Sequence, residues 1–286
     1  MADVPISEIW FPAGADSDSL EATDRGPSGA ARSHLPHRVD DWFWLPRPRP
    51  EATTRLFCFA HAGGGPTTFT DLAKGLPGSV DVWAAQMPGR GSRLTEPCPD
   101  NLDELVAQLR STVLPRMTTS SVLLGQSFGA LLAYELARQA PEGADMSGLI
   151  VIGLRSPDAL AEMSPANGSD LVDRLHLTAE EEALLRDSEM RDLVLSGVEA
   201  DLRLCQSYRH SAAPALRTPI VAIVGDQDPA VTPDQMADWR RFTTGTFQMV
   251  VVPDGHLVVR NGAPHAISAV TEALNVFSRR NGDVGH

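Results

Sequence analysis

Ser121-Val-Leu-Leu-Gly-Gln-Ser-Phe-Gly-Ala-Leu-Leu-Ala-Tyr-Glu-Leu-Ala-Arg138 is the stretch whose pattern decides the fold. Its opening residues, Ser121 to Leu124, form an apolar run without polar alternation, as in a strand covered on both faces. Ala130–Arg138 has the spacing of a helix. Between them lies Gly125-Gln126-Ser127-Phe128-Gly129, a G-x-S-x-G on a strand-to-helix turn. Such a turn holds its serine in strained backbone geometry with the hydroxyl exposed. Glycine is needed on either side because a Cβ would clash in so tight a bend. The helix that follows aims its first N–H groups toward the same point.

Outward from this unit the alternation continues. Buried strands are predicted at Leu56–Ala60, Val80–Ala85, Val122–Gly125, Leu149–Gly153, Pro219–Val224 and Phe247–Val252. Helices are predicted at Thr67–Gly75, Leu102–Leu114, Ala130–Arg138, Pro233–Phe242 and Ala266–Ser278. This order predicts an α/β fold with a mostly parallel central sheet and helices on both faces. Residues 155–215 break the alternation with the helical patterns Ser169–Leu177, Thr178–Leu185 and Glu189–Tyr208; Thr178 to Glu181 fits a capping box. A crossover needs far fewer residues, so the segment is either an ordinary helical insertion or a lid over the carboxyl ends of the strands. Residues 1–50 read as a disordered extension and linker ahead of a domain at 51–286. Within them Trp10-Phe11 and Trp42-Phe43-Trp44 could dock on the domain, and Pro46–Pro50 reads as an extended linker.

The chain has 286 residues and a formal charge of −13. That charge argues against sequence-independent nucleic-acid binding and against adhesion to anionic membranes. Lys74 is the only lysine among 24 basic residues, which we read as a trace of genome base composition rather than phosphate recognition. Three widely spaced cysteines, Cys58, Cys98 and Cys205, contain no CxxC and support neither a disulfide framework nor a zinc site. The N-terminal residues lack a basic segment followed by an apolar one, so a cytoplasmic setting is expected, with no metal and no bound cofactor.

A serine nucleophile on this turn needs an acid and then a histidine further along the chain. His176 and His210 fall in the insertion, His265 at a helix start and His286 at the terminus; His256 directly follows the last predicted strand. His256 is therefore the expected base. The preceding strand ends in Gly225-Asp-Gln-Asp-Pro229, offering Asp226 and Asp228. Asp228 is preferred as the acid because it lies further beyond the strand and Pro229 stiffens its loop. Two backbone donors are needed for an oxyanion, and Phe128 and Ala62 are the candidates. Ala62 belongs to the glycine-rich His61–Gly65 loop, where His61 is expected to order the loop.

Phe57-Cys-Phe-Ala-His-Ala-Gly-Gly64, Met87-Pro-Gly-Arg-Gly-Ser-Arg93, the elbow, Gly225-Asp-Gln-Asp228 and Gly255-His256 together resemble the type II thioesterases. The resemblance spans about residues 50–280. It implies an α/β-hydrolase fold with a helical lid, and Ser127, Asp228 and His256 as triad. It also implies hydrolysis of acyl groups from the phosphopantetheine thiol of acyl- or peptidyl-carrier proteins serving polyketide or non-ribosomal peptide synthases. Three positions depart from the family pattern: Gln126 replaces a histidine, Phe128 a methionine, and Leu257-Val-Val259 aromatic residues. Gln126 is expected to point away from the nucleophile, and Phe128 and Leu257 to reshape the acyl pocket. The alternatives are a small-molecule carboxylesterase, a dissected chain-terminating or macrocyclising thioesterase, and a non-catalytic scaffold of the same fold. Residues 1–41 hold eight carboxylates against three arginines, and residues 155–215 twelve against six. An acidic carrier is thus expected to avoid the insertion; Arg90 and Arg93 are candidates for its docking patch or for structural pairing.

Overall fold

The computed structural model describes residues 35–141, 143–162, 186 and 188–283. Its strands are β1 (His37–Arg38), β2 (Phe43–Leu45), β3 (Thr54–Phe59), β4 (Val80–Ala85), β5 (Ser120–Gln126), β6 (Met146–Ile152), β7 (Ile220–Gly225) and β8 (Phe247–Val252). The α-helices are α1 (Thr70–Gly75), α2 (Leu102–Val113), α3 (Phe128–Arg138), α4 (Ser188–Ser207), α5 (Pro233–Ala237) and α6 (Pro264–Asp283). The strands form one sheet in the order β1-β2-β4-β3-β5-β6-β7-β8. From β4 to β8 every neighbouring pair is parallel; β1 and β2 add an antiparallel edge.

Successive strand residues serve opposite faces, as the pleat requires. Leu123, Leu149, Val151, Ala222 and Val224 join one core with residues of α2 and α3. Val122, Leu124, Ile150, Ile152, Val221 and Ile223 join the other with residues of α1 and α6. Each such side chain contributes about 1.5–3 kcal/mol when fully buried, so the continuous apolar runs of β3 to β7 are explained by two covered faces. The run Phe247–Val252, expected to be buried, is instead the edge strand β8, with Met249 and Val251 exposed because only one of its sides has a neighbouring strand. With β5 between β3 and β6, the Gly125–Gly129 turn sits over the middle of the sheet.

Residues 35–50 correct the expectation of an extension and linker. Phe43 is fully buried, and the Gln86 N–H donates to Trp42 O, fixing β2 on β4. Strands of two and three residues carry too little periodicity to be read from sequence. Pro46–Pro50 is docked as well. The Arg49 guanidinium donates to the carbonyls of Ala73, Leu76, Pro77 and Val80. It thereby satisfies acceptors at the end of α1 that have no partner within the helix. The rest of the predicted extension, residues 1–34, lies outside the described residues.

In the insertion, α4 corresponds to the helical pattern at Glu189–Tyr208. The patterns Ser169–Leu177 and Thr178–Leu185, with their capping box, lie outside the described residues. Among the described residues no helix is long and apolar enough to cross a membrane.

Candidate active site

Ser127 has φ 53° and ψ −121°, the only positive φ among the described non-glycine residues. A side chain at positive φ is strained, and the neighbouring structure must hold it there. The Ser127 N–H donates to Ile152 O at 2.8 Å, and Ser127 O accepts from the Ala130 N–H at 2.8 Å. A Cβ on Gly125 would stand 2.1 Å from Gly129 O, and one on Gly129 2.1 Å from Phe59 O. Both glycines are therefore dictated by backbone-to-backbone contact, which turns the chain sharply and lifts Ser127 from the sheet.

The loops after β7 and β8 bring the other two groups to it. His256 Nε2 lies 3.0 Å from Ser127 Oγ, and His256 Nδ1 lies 2.8 Å from Asp228 Oδ2. The Asp228 side chain is 0% exposed and that of His256 16%. Asp228 Oδ1 accepts from the N–H groups of Ala230 and Val231 at 2.8 and 3.1 Å, fixing the carboxylate plane. Gly153 has φ +59°, and a Cβ there would approach Asp228 Oδ2 and His256 Nδ1 at 3.4 Å. Two of the other candidate histidines pair away from Ser127. His265 pairs with Asp254 at 2.6 Å, and His210 lies beside Tyr208. His176 and His286 are outside the described residues.

Gln126 does more than point away from Ser127. Fully buried, it donates from Nε2 to His256 O and accepts at Oε1 from the Val259 N–H, each at 3.2 Å. The residue beside Ser127 thus grips both ends of the segment carrying the histidine. Gln126→Leu keeps the volume, leaves the buried Val259 N–H unpaired at about 1–3 kcal/mol, and removes the donor to the part-buried His256 carbonyl. The expected result is a lower denaturation midpoint and a kcat about tenfold lower with KM little changed; steady-state kinetics beside urea unfolding checks it.

Ala62 lies in the loop after β3 and Phe128 opens α3. The Phe128 side chain is buried in the core on the α3 face, whereas Leu257 is half-buried. The His61–Gly65 loop meets α4 directly. The Gly63 N–H donates to Asp201 Oδ2 at 2.8 Å, and Arg90 clasps the same carboxylate with bonds of 2.5 and 2.7 Å. Burial pulls the Arg90 guanidinium pKa down, but the charge and hydrogen bonds of Asp201 outweigh this and leave it raised. Arg93 is buried too: it pairs with Glu96, donates to Gln86 O and stacks 3.9 Å above Trp42. Of the two roles considered for Arg90 and Arg93, structural pairing is the one observed.

From the sequence Asp201 counts only as one of the twelve carboxylates of residues 155–215. Its one signal is an acid between Val198 and Leu204 on the buried stripe of α4, where a carboxylate needs a buried partner.

A serine hydroxyl hydrogen-bonded to an imidazole, itself oriented by a buried carboxylate, can lose its proton and attack a carbonyl carbon.

The thioesterase domain family model matches residues 54–274 of this chain. Thioesterase PikA5 of Streptomyces venezuelae is 31% identical over 79% of this chain and 83% of its own length. Gramicidin S biosynthesis protein GrsT of Aneurinibacillus migulanus is 29% identical over 84% of this chain and 96% of its own. Among solved structures, the type II thioesterase BorB from the borrelidin biosynthetic cluster superposes with TM-score 0.71 at 30% identity, covering 83% of this chain and 99% of that one. The RedJ thioesterase from the prodiginine biosynthetic pathway in Streptomyces coelicolor gives 0.70 at 28% identity, covering 95% and 99%.

Proposed function

The chain belongs to the thioesterase family, with the α/β-hydrolase fold, and is a thioester hydrolase; on that premise we propose the substrate and the residues that act on it. The substrate is an acyl group on the phosphopantetheine thiol of an acyl- or peptidyl-carrier protein. Its removal is an editing step of polyketide or non-ribosomal peptide biosynthesis, carried out in the cytoplasm. The observation that carries the reading is the Ser127–His256–Asp228 chain of contacts at 3.0 and 2.8 Å. Relatives whose names place them in antibiotic biosynthesis support the substrate class.

With His256 Nδ1–H directed at Asp228, Nε2 is left to accept the Ser127 proton as Oγ attacks the thioester carbonyl. The N–H groups of Ala62 and Phe128 hold the resulting oxyanion. Collapse breaks the C–S bond; the pantetheine sulfur leaves with the proton from His256, and the acyl group remains on Ser127. His256 then takes a proton from water, which attacks the acyl-serine ester. The free acid departs and Ser127 regains its proton. Asp228 stays ionised throughout and stabilises the imidazolium.

A panel of carrier proteins loaded with different acyl groups, with matched acyl thioesters and oxoesters, tests this reading. The expected result is release of linear acid, faster from thioester than from matched oxoester. A strong oxoester preference would make the protein a carboxylesterase, and cyclic product would make it a macrocyclising enzyme.

A further inference from the structure

Ala62 supplies one of the two proposed oxyanion donors, and a donor works only if its N–H is aimed before the charge develops. Two peptide planes meet at the Ala62 Cα, and each is pinned. The plane containing the Ala62 N–H also contains His61 O, which accepts from the Gly64 N–H at 2.9 Å. The next plane contains the Gly63 N–H, which donates to Asp201 Oδ2 at 2.8 Å. The first bond is a local turn. The second reaches from the loop to α4, 138 residues along the chain.

Asp201 is 2% exposed, and Arg90 holds its two oxygens in a bidentate grip. Arg90 Nη1 also donates to Gly64 O at 3.3 Å, so the same ion pair touches the loop on both sides of the Gly63–Gly64 peptide. One turn before Asp201, Val198 fills the space beside Gly63: a Cβ on Gly63 would stand 2.3 Å from its Cγ2. Gly63 is at φ +75°, a conformation that leaves the loop soft without an outside hold. A buried ion pair adds little net stability, since desolvation offsets its attraction, but it fixes geometry.

We propose that Asp201, clasped by Arg90, is the positioning residue of the oxyanion loop and sets the direction of the Ala62 N–H from helix α4. The inference rests on the functional reading above. It makes α4 a support of the transition state rather than only a wall of the domain.

The test compares wild type with Asp201→Asn and Asp201→Ala on an acyl-pantetheine thioester. Active sites are counted by fluorophosphonate titration. A trifluoromethyl ketone analogue of the acyl group, which adds to serine as a hemiketal oxyanion, reports the oxyanion site directly. Asparagine keeps the volume but loses the charge that clasps Arg90. Expected for Asp201→Asn is kcat per titrated site about tenfold lower, KM within about threefold, and ketone affinity lower by the same factor as kcat/KM. Asp201→Ala is expected to lose about 10²-fold. Should alanine leave too little folded protein, the asparagine variant decides alone. Wild-type kcat per site with unchanged ketone affinity in Asp201→Asn would overturn the proposal, as would a loss seen only in the number of titrated sites. Failure of the underlying reading looks different: wild type itself would show no serine titrated by the fluorophosphonate and no affinity for the ketone.

Discussion

Ser127→Ala is expected to lower kcat for an acyl-pantetheine thioester by about 10⁶-fold, the scale on which removal of a serine nucleophile acts in a cooperating triad. The residual rate expected is that supplied by the proposed oxyanion donors and by substrate binding, which the substitution leaves in place. The fold has no need of the hydroxyl. Its hydrogen bond is to His256, and Ser127 keeps its backbone bonds to Ile152 and Ala130 with alanine in its place. The melting temperature should therefore change little while turnover disappears; a discontinuous assay with purified carrier, read beside a thermal scan, checks both.

Asp228→Asn is the second large effect, expected at about 10⁴-fold in kcat, and its cause is the direction of one hydrogen bond. Oδ1 of Asp228 accepts from the Ala230 and Val231 N–H groups, and Oδ2 faces His256 Nδ1. In the amide the remaining oxygen goes to the two backbone donors, which places the NH2 group against His256. Nδ1 must then accept, the ring proton moves to Nε2, and Nε2 can no longer take the proton of Ser127. The imidazolium also loses its counter-charge. Volume and backbone bonds are kept, so stability should stay close to wild type, and kcat with a urea unfolding curve separates this outcome from misfolding.

These residues were legible because each sits at a feature that sequence carries locally. Ser127 lies between glycines at the end of an apolar run, and His256 follows the last one. Asp228 rather than Asp226 could be preferred from its distance beyond β7 and from Pro229. The sheet from β3 to β7 was legible for the same reason: strands buried on both faces are continuous apolar runs; β8 is apolar too, but at the sheet's edge it leaves Met249 and Val251 exposed. What local patterning does not hold are contacts between distant segments. Gln126 reaches His256 O across 130 residues, and Asp201 reaches the Gly63 N–H across 138. Strands β1 and β2 are too short to show a period. They exist because β4 offers an open edge and Phe43 a place in the core. Arg49, inside what reads as a proline-rich linker, is understood only beside the carbonyls at the end of α1.

The contact of Gln126 with both His256 and Val259 also gives a reason for glutamine beside the nucleophile. The amide, itself fully buried, supplies one donor and one acceptor to a segment that needs both.

The proposed route of the acyl group from sulfur to water runs through Ser127. Mixing the protein with an acyl-pantetheine thioester, quenching in acid within the first turnover and mapping peptides by mass spectrometry tests it most directly. An acyl increment is expected on the peptide containing Ser127, decaying as free acid appears and absent in Ser127→Ala. Undiminished thioester turnover with no acyl group on Ser127, or full activity in Ser127→Ala, would contradict it.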